Sequence, residues 1–339
     1  MSFSRSIGAA AAGALILLAA AGSARAKTVV KFATLAPKGS TWMNVMEEWN
    51  RDLVRESGGE LEFRFYSGGV SGDEKDVVRK LRLGQIQAAG FTGVGLGEIA
   101  PEVRLLDAPF LFRNPEEVDR VRAAFDKEWN SAFEAGGTVL LGWADVGFVY
   151  FFTNTPVRDL RDLKDIKMWM WEGDPIAEAA FKTIGVSPIP LSVTDVMTSL
   201  QTGLIDGDYS SPLAAIALQW FTRVKFMYGY QLANASGAVL VSKRFFDSLP
   251  ESSRGILRRT GRKHLALLTG LTRKEDLESV AVLKKSGITV TPLDPPELLR
   301  AYEELGRSAR RLLAGRLYSL DLLEKLEKTL ERLRSNPGK

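Results

Sequence analysis

A short phrase recurs in this 339-residue chain and constrains its fold more than any other feature. Leu81-Arg-Leu-Gly-Gln-Ile-Gln87 and Leu200-Gln-Thr-Gly-Leu-Ile-Asp206 both read L-x-x-G-x-I followed by Gln or Asp. Each follows a helical stretch that begins near an acid (Asp73, Asp195), and each runs into a small-residue strand end, Ala88-Ala-Gly-Phe-Thr92 and Gly207-Asp-Tyr-Ser-Ser211. A helix passing through a tight glycine turn into a strand, once in each half, is the signature of two similar α/β lobes. Three identities in seven positions also arise by chance, so the repeat needs support from the rest of the chain.

The opening supplies it. Val29-Val-Lys-Phe-Ala-Thr-Leu35 is rich in β-formers, and Ala36-Pro-Lys-Gly-Ser40 turns into a helix with Ser40 or Thr41 as N-cap. Trp42, Val45, Met46, Trp49 and Leu53 recur at helical spacing until Gly58-Gly59, and Leu61-Glu-Phe-Arg-Phe-Tyr66 alternates as a second strand. This β-α-β order predicts parallel pairing. The glycine-rich turn Gly68–Gly72 leads to a helix opening on Asp73-Glu74, where carboxylates oppose the positive helix end; the same acids would repel a phosphate from that turn. A helix is expected from Pro115 to Ala135, then strands over Thr138–Trp143 and Val146–Thr153, the latter crossing toward the second half. Ala238–Ser242 is expected to return to the first lobe. The long helical run Glu251–Lys285 is enough to span both lobes at about 1.5 Å per residue, and residues 296 to 334 read as amphipathic outer helix. The expected boundaries are 27–152 with 237–280 for one lobe, and 153–236 with 281–339 for the other.

The first 26 residues read as an export leader: Arg5 ahead of an Ala/Leu/Ile-rich stretch, closed by Ala24-Arg-Ala26, so that the mature chain begins at Lys27. No later stretch approaches the roughly 20 apolar residues of a membrane span. With no cysteine, neither a disulfide nor a lipid-anchor cysteine is available. Removing Arg5 and Arg25 takes Lys plus Arg from 45 to 43 against 41 acids, a net charge of 43 − 41 = +2 that does not favour nucleic acid. Arg258-Arg259 and Arg310-Arg311 are expected on solvated helix faces.

Between the two echoes, a charged segment from Arg158 to Asp165 gives way to Ile166-Lys-Met-Trp-Met-Trp-Glu-Gly-Asp174. As a strand this puts Ile166, Met168 and Met170 on one face and Lys167, Trp169 and Trp171 on the other. Two indoles on one face either pack under a helix or form a wall for a flat or apolar ligand.

Phe32-Ala-Thr-Leu-Ala-Pro37, Pro109-Phe-Leu-Phe-Arg113, Asp162-Leu-Lys-Asp-Ile-Lys167, Leu200-Gln-Thr-Gly-Leu-Ile-Asp-Gly207 and Ser242-Lys-Arg-Phe-Phe-Asp-Ser-Leu-Pro250, with the leader, resemble the DctP-type periplasmic solute receptors of tripartite ATP-independent (TRAP) transporters. The resemblance spans the mature chain in matching order. It implies an α/β, two-lobe periplasmic binding protein fold with mixed sheets, hinge strands and a long helix spanning both lobes. It also implies closure on a small ligand and delivery to a TRAP membrane permease.

The departure from that family bears on the ligand. In typical members the strand after D-L-K-G-L-K carries an arginine two residues on that grips a ligand carboxylate; here that position is Trp169. The family's E-N-P is matched loosely by Tyr209-Ser-Ser-Pro212, with Ser211 nearest the Asn, and other pocket positions fall on Leu35, Val70, Val149 and Val193. Phe91 joins them from the first echo. The expected ligand is therefore hydrophobic or amphipathic, with Trp169 and Trp171 as wall and Tyr209, Ser210 and Ser211 as polar contacts. The resemblance to a branch lacking the arginine raises a periplasmic TPR-containing protein as a possible partner. Alternatives within the binding class are a sugar, or a small organic acid held through a metal by Glu172, Asp174, Asp206 or Asp208; no resident metal or cofactor is expected. A periplasmic ligand sensor would read the same way. Catalysis ranks last: the only histidine, His264, is expected on a solvated helix face, Glu47 and Glu48 point apart, and H-E-x-x-H and G-x-S-x-G are absent.

Overall fold

A computed structural model describes residues 27–292 and 295–335; the expected leader lies outside the described residues. The β-α-β opening forms as read. β1 (Thr28–Ala33) pairs in parallel with β2 (Leu61–Tyr66) across helix α1 (Thr41–Glu56), whose N-cap Ser40 accepts from the Met43 amide. α2 (Glu74–Arg82) leads to β3 (Ala88–Thr92), again parallel to β1. A seven-residue helix α3 (Gly93–Ile99) and a 3-10 turn (Pro101–Asp107) follow. The single helix expected over 115–135 is two, α4 (Pro115–Ala124) and α5 (Asp126–Ala135), broken at Phe125. The break lets Val118 and Val121 on one side and Trp129 and Phe133 on the other enter one core.

β4 (Thr138–Trp143) closes the first sheet, and the chain then crosses at Ala144–Val146 to β5 (Gly147–Thr153), the central strand of a second sheet. In that lobe come a 3-10 turn (Leu160–Asp165), β6 (Trp169–Trp171), α6 (Pro175–Ile184), β7 (Ile189–Leu191), α7 (Val196–Thr202), β8 (Gly207–Ser210), α8 (Pro212–Ala217), β9 (Phe226–Met227) and β10 (Ala233–Ala235). The crossing precedes the boundary expected at 152. β11 (Gly237–Ser242) returns and inserts antiparallel between β3 and β4, giving the first sheet the order β2-β1-β3-β11-β4. The second sheet runs β10-β5-β9-β12 with β8 beside β5, where β12 is Thr289–Val290. Both sheets are mixed.

After α9 (Lys243–Ser248), the 35-residue α10 (Glu251–Lys285) passes behind both lobes, about 50 Å long. Its Leu257, Leu265 and Leu268 join Trp49 and Leu53 against the first sheet, and Leu283 joins the core of the second lobe. His264 is not on a solvated face. It is 4% exposed and shares the Asp52 carboxylate, at 2.8 Å, with Lys263 at 2.6 Å. The C-terminal segment expected with the second lobe divides. α11 (Pro296–Leu313) packs on α6, whereas α12 (Leu320–Ser335) places Leu323, Leu326 and Leu330 in the first-lobe core beside α4. Arg310, expected solvated, is buried: its Nη1 donates to the Pro109 carbonyl and its Nε to Glu327. Among the described residues no helix is long and apolar enough to cross a membrane.

Candidate functional site

The two crossings, β4 to β5 and β10 to β11, put the C-terminal ends of β1 and β3 opposite β6 and β8. A cavity of about 310 Å³ lies between them, within the range of small-molecule sites. Its walls come from both lobes: Leu35, Phe91 and Val94 on one side, Val149, Ile184 and Val193 on the other.

The strand expected at 166–174 is short, but its alternation is as read. Trp169 and Trp171 face one apolar cluster of the second lobe, while Ile166, Met168 and Met170 face another. Both tryptophans border the cavity, yet they are largely core. Trp169 is 1% exposed; its ring stacks on Tyr209 at 4.9 Å, meets Trp220 edge-on at 5.4 Å, and its N–H donates to the Leu191 carbonyl. Trp171 turns its N–H toward Asp73, 3.0 Å away across the cleft. Both rings thus pack in the second-lobe core with one edge on the cavity.

The expected polar contacts already have protein partners. The Ser211 hydroxyl donates to the Val146 carbonyl at 2.6 Å and caps α8 by accepting from the Ala214 amide. Ser210 donates to Asp208, and the Tyr209 hydroxyl accepts from the Trp171 amide. Leu35, Phe91, Val149 and Val193 border the cavity, as do Tyr209, Ser210 and Ser211. Val70 does not: it is 74% exposed in the turn before α2, outside the cavity wall, because the glycines flanking it (Gly69 and Gly72, both at positive φ) turn its side chain out. The four acids considered for a metal have separate settings. Asp206 pairs with Lys167, Asp208 bonds Ser210, Asp174 caps α6, and Glu172 is exposed. Among the described residues no group of three or more acids and histidines is placed to hold a metal.

Three charged side chains that sequence reasoning passed over occupy the floor. Arg104, from the 3-10 turn of the first lobe, is the only basic side chain on the cavity wall among the described residues. Its Nη2 donates to Asp174 Oδ1 at 2.8 Å, and its Nε lies 3.2 Å from Asp107 Oδ2, close enough for charge pairing though off line for a hydrogen bond. Burial opposes the charge on Arg104, but Asp174 and Asp107 outweigh it and hold the guanidinium above its ordinary pKa. Burial pushes the Asp107 carboxyl up against the pull of Arg104. Glu74, also on the wall, is pushed by burial to about 7 even though the Thr92 amide and hydroxyl and the Gly95 amide all donate to it.

A sequence signal for this floor existed in Gly93-Val-Gly-Leu-Gly97, glycine at every second position of a helix. A Cβ at Gly93 would overlap Asp107, at Gly95 it would fall 2.8 Å from Glu74 Oε2, and at Gly97 2.6 Å from Arg104 Cγ. The helix forgoes side chains to seat the charges. Asp73 likewise differs from expectation. It stands at the N-cap of α2 without bonding that helix and instead accepts from Trp171 Nε1, the Ser192 hydroxyl and the Val193 amide of the opposite lobe.

Comparison with known proteins agrees with this architecture. The profile described as "Bacterial extracellular solute-binding protein, family 7" (DctP) matches residues 32–314. A solute-binding protein of Verminephrobacter eiseniae is 26% identical over 276 residues, 79% of this chain and 80% of that one. The sialic acid-binding periplasmic protein of Vibrio cholerae is 24% identical over 299 residues, 86% of this chain and 91% of its own. The sugar acid binding protein of Advenella mimigardefordensis, solved with galactonate, superposes with a TM-score of 0.84 at 18% identity over 91% of this chain and 99% of that one, and so shares its two-lobe fold. With two mixed sheets closed over one cavity and a family match running from the first strand to the penultimate helix, the chain belongs to bacterial extracellular solute-binding protein family 7, the DctP-type periplasmic solute receptors of TRAP transporters, which are not enzymes.

Proposed function

We propose that the receptor takes a predominantly apolar or amphipathic small molecule without a carboxylate and hands it to TRAP membrane subunits. One observation carries the reading: the single cation on the cavity wall among the described residues is already shared by two carboxylates. A ligand carboxylate at about 4 Å would gain about 4 kcal/mol from Arg104 at an effective dielectric near 20, but lose about as much to each of two like charges. It would also give up hydration without a free cationic partner. An apolar ligand covering roughly 200 Å² of wall gains about 5 kcal/mol instead. Leu35, Phe91, Val149 and Val193 supply that contact in this reading, with Trp169 and Trp171 backing the wall and Tyr209, Ser210 and Ser211 at its polar edge. A TPR-containing periplasmic protein remains a candidate partner, which co-purification tests.

The second reading is a small organic acid. Relatives named for sialic acid or solved with galactonate favour it, and Arg104 is the basic group on the wall, among the described residues, that would grip such a ligand once freed from Asp174. Native mass spectrometry of the receptor purified from its own periplasm, followed by extraction, separates the two. A stoichiometric, poorly water-soluble molecule supports the first reading; recovery of a sugar acid or dicarboxylate overturns it.

A further inference from the structure

We propose that Asp174 is a built-in substitute for a ligand carboxylate: reaching from the head of α6 across the cleft, it occupies the fork of Arg104 and so lets the lobes close on a ligand that brings no acid, while excluding ligands that do. The inference rests on the apolar reading of the cavity and adds the residue that sets its selectivity.

The geometry has three parts. Arg104 belongs to the first lobe and Asp174 to the second, 70 residues apart in sequence, so their 2.8 Å bond joins the two lobes. Both side chains are about 5% exposed, which leaves the guanidinium no solvent in place of a partner. Asp174 is also fixed in position, because its Oδ1 accepts from the Ile176 amide at 3.0 Å and Pro175 follows as the first helical residue. A ligand acid would have to displace a carboxylate that is simultaneously the cap of α6.

A buried ion pair contributes little net stability compared with apolar side chains of the same volume. Its consequence here is therefore selectivity. With Asp107 at 3.2 Å on the other side, the guanidinium faces a carboxylate from each lobe, so a third acid would meet two like charges beside the one cation.

The test uses Asp174→Asn and Asp174→Ser, two substitutions that retain an N-capping oxygen. Binding of D-galactonate and D-glucuronate is measured by calorimetry, and of the neutral fluorescent probe N-phenyl-1-naphthylamine by titration. Wild-type protein is expected to bind the neutral probe and not the acids. At least one variant that melts cooperatively is expected to bind an acid tenfold or more tighter than wild type. Adding Arg104→Lys, which keeps charge but not the fork, should reverse most of that gain. If both variants fold and neither gains acid binding while wild type still takes the neutral probe, Asp174 is not the substitute and the apolar reading stands. If wild type binds the acids as tightly as the variants do, both inferences fall.

Discussion

Asp208 shows what single residues contribute in this receptor. It is fully buried in β8, one carboxyl oxygen accepting from Ser210 and Oδ2 without a partner, and burial pushes its pKa up to about 7. Glu74 reaches about 7 and Asp276 about 6 by the same cause. In each case the folded protein holds a proton that the unfolded chain releases near pH 4, so the associated stability is present in full below that pH and lost as pH rises through 6 to 7. Asp52 works the other way: hydrogen bonds from Lys263 and His264 hold its pKa well below the usual carboxylate range, so its contribution is present at neutral pH and lost under acid conditions below about 4. The melting temperature should therefore peak in mildly acid buffer and decline toward pH 8. Asp208→Asn should flatten that decline and stabilise the protein at pH 8 by about 1–4 kcal/mol, read by denaturant melts at pH 5 and pH 8; an unchanged slope would refute the assignment. At this scale the sequence was informative about apolar placement and poor about polar partners. Alternation put Trp169 and Trp171 on one face, but the carbonyl or carboxylate that takes each indole N–H comes from residues 22 and 98 positions away. Arg104 left no trace because one arginine in a 3-10 turn has no periodicity to break.

The α3 helix inverts the usual effect of glycine. In an exposed helix interior Gly→Ala stabilises by about 0.5–1 kcal/mol, and at Gly255 in α10, where a Cβ would meet nothing within 4 Å, Gly255→Ala should do so. At Gly93 the added methyl would overlap the Asp107 carboxylate, and Gly93→Ala should instead cost about 2–4 kcal/mol. Urea melts of the two variants against wild type give the comparison, and equal signs would show that the floor is not rigid. Elements were otherwise legible where hydrophobic periodicity was strong: β1, α1, β2 and α10 lie where the pattern put them. The break at Phe125 was not, since Ala-Ala-Phe-Asp carries neither proline nor glycine and the turn serves a core assembled from α4, α5 and the distant α12.

At the rim beside α2 the lobes meet through Asp73 and Lys75. Asp73 takes three hydrogen bonds from the opposite rim, and Lys75 reaches the Glu172 carbonyl at 2.7 Å. Asp73→Ala removes the larger share of that seam. At about 1 kcal/mol per bond, ligand affinity should fall ten- to a hundredfold, with a larger radius of gyration in solution scattering at equal stability; unchanged scattering together with unchanged affinity would show that the seam does not hold the lobes. Behind the cleft, Asp276 of α10 accepts the Leu213 and Phe148 amides beside the strand crossing, so the two crossings and the long helix are tied at one level. The order of motifs made this two-lobe plan readable, whereas the destination of α12 was not, since its leucines would suit either lobe.

The seam has a consequence beyond holding cargo. The turn before α2 and the segment at Ser192–Thr194 lie over 100 residues apart, yet Gly69 and Thr194 stand side by side where the rims touch. Parting of the lobes would separate these two positions. A membrane subunit that touched both positions at once would distinguish shut jaws from parted ones by shape alone.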